Sequence, residues 1–297
     1  DSPLRRDFHA RLLDRLTADG AKLVLFDFIF DQPGSDPGAD SAFAAALRRH
    51  GRAVLMADES DELQGNLGGR VLTPPLPLLA RAATNWGLAR LGQPDKDFSI
   101  RQIDAGSLDV PSASWVAATI LVAPVTRNAQ DRLRERWLNF YGPTERFRAV
   151  NYDQALDPEI FRNGYFRDKI VVVGSRPVVS SAPVAREEWP TPHSRWGSRL
   201  SYGAEFHALS LLNLLRGDWL SRLSPRWEKI LVITWGALLS VGLSRLRPWT
   251  AGAFAVLAAG LLFSLSVYIQ CKHLVWWPWM ITAVGESSVA LLWSRGV

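Results

Sequence analysis

KLVLFDFIF, residues 22–30, is the stretch that decides the fold, because it is a short, nearly continuous apolar run. A strand of this kind is covered on both faces, as in parallel sheets flanked by helices. Before it, residues 4–19 predict an amphipathic helix that ends at Gly20. Its apolar face carries Leu4, Phe8, Leu12 and Leu16, which are spaced four residues apart. After it, a turn-rich segment at 32–40 and a helix capped by Asp40 and Ser41 lead to a second apolar strand, RAVLMA, at 52–57. This order predicts a βαβ unit with parallel pairing and a right-handed connection.

Further segments extend the same pattern towards residue 217. We expect a loop at 58–81, short strands at 86–91, 98–103 and within 134–141, and a helix at 111–122. KIVVVGS at 169–175 predicts another buried strand, and GAEFHALSLLNLLRG at 203–217 predicts an amphipathic helix that Gly217 ends. The fold class is therefore α/β, with a mostly parallel sheet flanked by helices.

The C-terminal tail is predicted to form an all-α transmembrane region. Residues 230–297 contain five formal charges, which are Arg245, Arg247, Lys272, Glu286 and Arg295. Three long apolar stretches predict transmembrane helices at about 228–246, 248–271 and 274–294. Seven tryptophans flank or fill them, as interfacial aromatic belts do: Trp227, Trp235, Trp249, Trp276, Trp277, Trp279 and Trp293. The predicted domains are residues 1–222 and residues 223–297.

The arginines of the tail predict its orientation. Arg245 and Arg247 lie between the first two spans and Arg295 follows the third, which places these loops and the C-terminus in the cytoplasm. Residues 1–222 are then periplasmic or extracellular, on a cell inner (plasma) membrane. Because an exported domain needs a signal and residues 1–19 hold none, we expect the native chain to begin earlier with a signal anchor.

Composition excludes several kinds of partner and cofactor. Of the formal net charge of +5, most lies in the tail, and the electrically balanced remainder argues against nucleic-acid binding. The single cysteine, Cys271, excludes an intrachain disulfide and a thiolate zinc cluster. No phosphate-binding glycine motif and no helical pair of histidines occurs, so we expect no cofactor and no metal.

Eight weak motifs in a fixed order resemble those of a known family. They are GAKLVLFDFIFDQP, GRAVLMA, PDKDFSIRQ, VPSASW, LNFYGP, FRDKIVVVGS, a TP-containing loop and GAEFHALSLLNLLRGDWL. Over roughly residues 1–220 this series resembles the type-two CHASE family of extracytoplasmic sensors. The resemblance implies one membrane span before the domain, about three after it, and a cytoplasmic kinase or nucleotide cyclase as effector. The family often has an Asp in the loop after the VVVG strand, and this chain has none at 177–183.

Four candidate ligand-binding residues lie at predicted strand ends. Asp27 and Asp31 end the first strand, where ligands of open α/β sheets bind, and a carboxylate there suits a cation or polar ligand. The alternative is that Asp27 caps a neighbouring helix or accepts backbone N–H groups. Gly174 and Ser175 follow the VVVG strand, where backbone N–H groups can face an anion; the alternative is a tight turn.

Three further residues complete the candidates. Arg101 on a short strand can clamp a carboxylate ligand, although a surface salt bridge is the commoner role, and Tyr141 lies in LNFYGP. Glu286 is an acid inside the third predicted span, so we expect a helix–helix or subunit contact, or an acid satisfied by a nearby serine. His207 lies two residues from Glu205, which points the two side chains to different helix faces.

These observations favour a non-enzymatic, membrane-anchored sensor that couples binding outside to an effector inside. Its partners would be membrane lipid, another copy or a partner membrane protein, and a kinase or cyclase in cis or in trans. The alternative is a non-enzymatic subunit of a membrane complex whose exported domain docks a partner protein. A third hypothesis is an exported hydrolase that uses Asp27 and Asp31.

Overall fold

The computed structural model describes residues 5–64, 67–175, 188–194, 197, 199–286 and 288. The chain divides into two compact units, Asp1–Gly217 and Asp218–Val297. The first unit is an α/β domain, and the second is largely helical.

A five-stranded mixed sheet forms the centre of the first unit. Its strands are β1 (Leu23–Ile29), β2 (Ala53–Gln64), β3 (Leu67–Thr73), β4 (Asn85–Leu88) and β5 (Ile170–Gly174). β1 lies between β5 and β2 and is parallel to both, and β4 is parallel to the first part of β2. β3 is antiparallel to the second part of β2. The predicted parallel βαβ unit is therefore present, within a sheet that is mixed.

The loop prediction for residues 58–81 is wrong. β2 continues to Gln64 and turns back as β3, and a short helix α3 (Pro77–Ala80) follows. The sequence of this hairpin is polar and rich in glycine, so it lacks the apolar pattern by which strands are predicted, and the pairing is made by the backbone. The strands predicted at 98–103 and 134–141 are reduced to single bridges such as Gln102 with Trp137.

Helices cover the sheet, and two of them end at the glycines that the sequence predicts. They are α1 (Arg6–Asp19), α2 (Pro37–His50), α4 (Ala113–Ile120), α5 (Tyr152–Leu156) and α6 (Gly203–Arg216), with 3-10 turns at Pro124–Arg127 and Ala129–Asp131. Gly20 and Gly217 end α1 and α6 at φ 81° and 68°, in the left-handed region that glycine favours. A small antiparallel pair, β6 (Glu188–Trp189) and β7 (Ser201–Tyr202), precedes α6.

The cap of α2 differs from the prediction. Asp36 accepts a hydrogen bond from the Gly38 N–H and is the N-cap residue. Asp40 is instead buried inside the helix, where it accepts hydrogen bonds from Arg6 Nη1 at 2.5 Å and from the Gly34 N–H at 3.0 Å. Asp40 thus joins α1 to α2 rather than beginning a helix.

The main core lies between β1 and the helices α1 and α2. Val24 and Phe26 of β1 pack there against Leu13, Phe43 and Leu47. Leu23 and Leu25 alternate with them along β1 and are also fully buried, so both faces of the strand are covered. α4 packs against β1, β2 and β4, and α6 packs against β5 and α4. The continuous apolar run of β1 is explained by this two-sided burial.

A buried histidine lies within this core. His9 of α1 is 1% exposed, and its Nδ1 lies 2.7 Å from the hydroxyl of Tyr152. Five aromatic rings approach it with centroids 5.2–5.8 Å away, those of Phe26, Phe28, Phe30, Phe43 and Tyr152. Burial is the main cause that lowers the His9 pKa from 6.5 to about 4, and it raises the pKa of Tyr152.

The second unit contains two long helices, α7 (Pro225–Leu243) and α8 (Pro248–His273), joined by the turn that holds Arg245 and Arg247. A short parallel pair links β8 (Ser221–Arg222) to β9 (Val275–Trp276). Within the described part of the chain, one helix, Trp249–His273, is long and apolar enough to cross a membrane. Trp249, Val256 and Leu257 of this helix are 92%, 72% and 72% exposed, unlike the core helix of a soluble domain.

In the described part of the chain, neither of the other two predicted spans forms a helix that is long and apolar enough to cross a membrane. α7 carries Arg226, Glu228 and Lys229 in its first turns, which shortens its uncharged part. In the third predicted span, Ile281–Glu286 is a π-helical segment. The side chain of Glu286 and most residues after it lie outside the described part.

His9 makes the free energy of unfolding depend on pH. Because its pKa is lower in the folded chain, the unfolded chain gains the proton first, and stability falls as pH drops from 6.5 towards 4. The shift corresponds to about 3 kcal/mol at most. We expect urea denaturation of the full chain in detergent to show a smaller acid-induced loss for His9→Gln than for the wild type.

His193→Gln is the control, because His193 is a half-buried loop residue outside this cluster. It should keep the wild-type pH dependence. Parallel loss of stability in the wild type and in His9→Gln would contradict this account of His9.

Candidate functional site

The N-terminal part of α6 carries several of the polar contacts of the domain. Gly203, Glu205 and His207 are spaced so that they face different neighbours. Gly203 meets the end of β1, Glu205 lines a small surface pocket, and His207 contacts α4. The prediction that Glu205 and His207 point to different faces is therefore confirmed.

Asp27, two residues before the end of β1, lies beside Gly174, the last residue of β5. They are register partners, and a Cβ added to Gly174 would lie 2.7 Å from the Ala204 Cβ and 3.2 Å from the Asp27 Cβ. A Cβ on Gly203 would lie 3.3 Å from Asp27 Oδ2. The Asp27 carboxylate is thus at the N-terminal end of α6, where the helix dipole stabilises a negative charge. This placement agrees with the helix-capping alternative; ligand binding by Asp27 stays a prediction.

His207 connects Asp27 to α4 inside the domain. Its Nδ1 lies 3.3 Å from Ser114 Oγ, and its Nε2 lies 3.8 Å from Asp27 Oδ1. Burial is the main cause that lowers the His207 pKa, while the charges of Asp27 and Asp104 oppose the shift. His207 is therefore neutral at pH 7.

Ser114, His207 and Asp27 do not have the geometry of an activated nucleophile. Ser114 is 2% exposed, so its hydroxyl is closed to a substrate, and it also donates to the His207 carbonyl. The 3.8 Å separation of His207 and Asp27 is too long for the hydrogen bond that orients a catalytic histidine. Ser114 and His207 are buried, and Asp27 beside them is partly exposed, so the three residues form a largely buried polar network.

The other two predicted strand-end residues are Asp31 and Ser175. Asp31 lies in the loop after β1, and Gln32 Nε2 donates to it at 3.3 Å. Ser175 is exposed directly after β5. The loop that lacks the family's usual Asp, 177–183, lies outside the described residues.

Arg101 is engaged by carboxylates of its own loop. It donates to Asp95 at 2.5 Å and to both oxygens of Asp97 at 2.8 and 2.7 Å. The hydrogen bond from Arg101 is the largest cause that lowers the Asp97 pKa. Arg101 therefore forms salt bridges within its own loop, which agrees with the alternative interpretation. A carboxylate ligand would have to displace Asp95 or Asp97 to bind it.

Tyr141 lines the small pocket beside α6. Asn213 Nδ2 donates to its hydroxyl at 3.1 Å, and the guanidinium of Arg216 lies 5.0 Å from its ring centroid. Asn213 is fully buried and also bonds the backbone of Asn139, at 2.7 Å to its N–H and 3.2 Å to its carbonyl. The segment around Tyr141 is therefore fixed to α6.

Glu205 is the buried acid of this pocket, and sequence reasoning missed it as a site residue. Its Oε1 accepts from the Glu145 N–H at 2.7 Å, and its Oε2 accepts from Ser201 Oγ at 2.5 Å. The pocket is lined by Phe140, Tyr141, Gly142, Pro143, Thr144, Arg146, Phe147, Thr191, Ser201, Glu205, Phe206 and Leu209. The available signal was that Glu205 and Asn213 are polar residues within a largely buried helix.

The class of protein defined by these features is an α/β domain with a mixed sheet, a buried polar network and a side pocket. No group of three or more His, Cys, Asp or Glu in the described residues is arranged to hold a metal ion.

The model of the CHASE2 domain family matches residues 1–243, and the chain belongs to this family. CHASE2 domains are extracellular sensor domains typical of signal-transduction proteins, and the domain is sensory rather than catalytic. The family resemblance noted in the sequence is therefore confirmed. No curated protein and no solved structure matches the chain.

The close approach of α6 to β5 makes Gly174 sensitive to any side chain. We expect Gly174→Ala to lower the free energy of unfolding by about 1–3 kcal/mol, because its Cβ would collide with Ala204. Chemical denaturation followed by tryptophan fluorescence measures the change. Adding Ala204→Gly should recover part of the loss.

Gly69→Ala is the matched control, since a Cβ there meets nothing within 4 Å. It should change stability by no more than about 0.5 kcal/mol. A Gly174→Ala protein as stable as the wild type would show that α6 is not seated as described.

Proposed function

We propose that the chain is the membrane-anchored, extracytoplasmic sensor module of a bacterial signal-transduction protein. The observation that carries the proposal is membership of the CHASE2 family over most of the chain. Residues 1–222 would bind a ligand or partner outside the inner membrane, and the tail would pass the change inward.

Anchoring is supported by α8, whose exposed apolar surface suits lipid. Spans at about 228–246 and 274–294 would complete a three-helix region. Arg245 and Arg247 in the turn before α8, together with Arg295, favour a cytoplasmic position for that turn and for the C-terminal end. The domain would then be periplasmic.

Signal transfer requires partners. A kinase or a nucleotide cyclase, in cis or in trans, would change its activity with the arrangement of the membrane helices. Another copy of the chain or a partner membrane protein would pack against these helices. Glu286 is placed in sequence to make such a contact, because an acid in a span needs a polar partner. A ligand would act only by stabilising one of two arrangements more than the other.

Membrane topology is the direct test. In a background in which Cys271 and any other cysteine of the full-length native protein are replaced by serine, single cysteines are introduced as Leu108→Cys, at a site 80% exposed, and Leu246→Cys, in the turn before α8. We expect a membrane-impermeant maleimide to label Leu108→Cys in intact spheroplasts. Leu246→Cys should react only after permeabilisation.

Each variant serves as the control for the other, because both carry one reactive thiol in the same background. Labelling of Leu246→Cys alone in intact spheroplasts would reverse the proposed orientation. Recovery of the protein in the soluble fraction would contradict anchoring.

A further inference from the structure

One end of the helical second unit carries several basic side chains. α7 begins and α8 ends beside the parallel pair of β8 and β9, in which the Ser221 N–H donates to the Leu274 carbonyl at 2.7 Å. Arg226 and Lys229 in the first turns of α7 and Lys272 in the last turn of α8 therefore lie at the same end of this unit. These three residues are called the basic belt below.

The charges of the basic belt are not neutralised by the chain itself. All three side chains are exposed, and no ion pair engages any of them among the residues that the structure describes. Glu228 is the one acid of residues 219–280, and Arg222, outside the belt, donates to both of its carboxylate oxygens at 2.9 and 3.1 Å. The acid nearest to the belt is thus already paired, and the three positive charges face the surroundings of the unit.

On α7 the basic belt continues into exposed apolar side chains. Counted from Arg226, the positions three, four and seven residues later share one face of the helix. They hold Lys229, Ile230 and Ile233, and both isoleucines are exposed, as is the neighbouring Trp227. Basic and aromatic residues followed by exposed apolar side chains are typical of a helix that enters the hydrocarbon from the headgroup region.

The same order recurs on α8. Leu261, Leu265 and Tyr268 are exposed and follow one face of the helix at intervals of four and three residues. Lys272 continues this face four residues later. Both helices therefore present an exposed apolar stripe that ends in an aromatic ring and a basic side chain at the same end of the unit.

A lipid with a negatively charged headgroup matches both parts of this surface. α8 is long and apolar enough to cross a membrane, so hydrocarbon chains are the surroundings that suit its stripe. The groups that then meet the adjoining basic side chains are lipid headgroups. A headgroup with a net negative charge attracts lysine and arginine more strongly than a zwitterionic headgroup does.

We infer that the basic belt binds the headgroups of anionic phospholipids at the membrane face where α7 begins. The inference rests on the proposed membrane anchoring and names the class of lipid at that face. Because the attraction is electrostatic and the belt is exposed, added salt weakens it.

Quenching of tryptophan fluorescence by brominated lipids tests the inference. The full chain is reconstituted in phosphatidylcholine vesicles that contain increasing fractions of dibrominated phosphatidylglycerol or of dibrominated phosphatidylcholine. The two quenching curves give the ratio of the binding constants of the two lipids. We expect phosphatidylglycerol to bind about fivefold more strongly or better at low salt, and the ratio to fall towards one in about 1 M salt.

Charge-removing variants locate the binding. The triple variant Arg226→Gln, Lys229→Gln and Lys272→Gln should lower the ratio by about threefold or more, because it removes three positive charges and leaves the apolar stripes intact. Lys272→Gln alone should lower it less and gives a second reading if the triple variant fails to fold.

The matched control removes three exposed basic side chains from the first unit. It combines Arg48→Gln, Arg52→Gln and Arg81→Gln, and it should keep the wild-type ratio.

Two results would overturn the inference: equal binding of the two lipids by the wild type, or a ratio that the triple variant leaves unchanged. Loss of the lipid preference on addition of soluble glycerol phosphate at constant ionic strength would also overturn it, because the belt would then bind a free phosphate. A chain that enters the vesicles without preference would leave the anchoring proposal standing. A chain that alkaline carbonate releases from the vesicles would refute anchoring, and the lipid inference with it.

Discussion

The contact of the first turn of α6 with the ends of β1 and β5 is the constraint on which the rest of the domain depends. Ala204 lies against Gly174 so closely that no side chain fits there, and Asp27 lies at the N-terminal end of the helix. This contact fixes the rotation of α6 about its axis. Once that rotation is set, His207 must face Ser114, and Glu205 must face the pocket.

The wall of the pocket is hydrogen-bonded to the same helix. Asn213, further along α6, holds both backbone groups of Asn139 and the hydroxyl of Tyr141, and Glu205 holds the Glu145 N–H. Segments remote in sequence are thus fastened to one helix through buried polar side chains. Only residues 217–224 separate α6 from α7 in the chain, so α6 directly precedes the proposed membrane region in the sequence.

Much of the α/β domain could be predicted because its central strands are continuous apolar runs and the helices α1 and α6 end at glycine. The β2–β3 hairpin could not, since the paired residues 58–64 and 67–73 form a backbone ladder without an apolar pattern in their sequence. For the candidate site, Asp27 and Gly174 were proposed from their positions at predicted strand ends and Tyr141 from the LNFYGP motif, and their role in ligand binding stays a prediction. Glu205 and Arg146 were not, because tertiary packing alone brings residues 140–147 beside α6.

Hydrogen–deuterium exchange of the wild type and Asp27→Asn tests most directly whether α6 unites the strand ends with the pocket. The substitution keeps the side-chain shape and removes the charge at the helix end. We expect faster exchange in the first turn of α6. We also expect it in residues 139–147, which contact α6 but do not contain the substituted residue. Faster exchange confined to β1 and its sheet neighbours would contradict this account, because the pocket would then be independent of the strand-end contact.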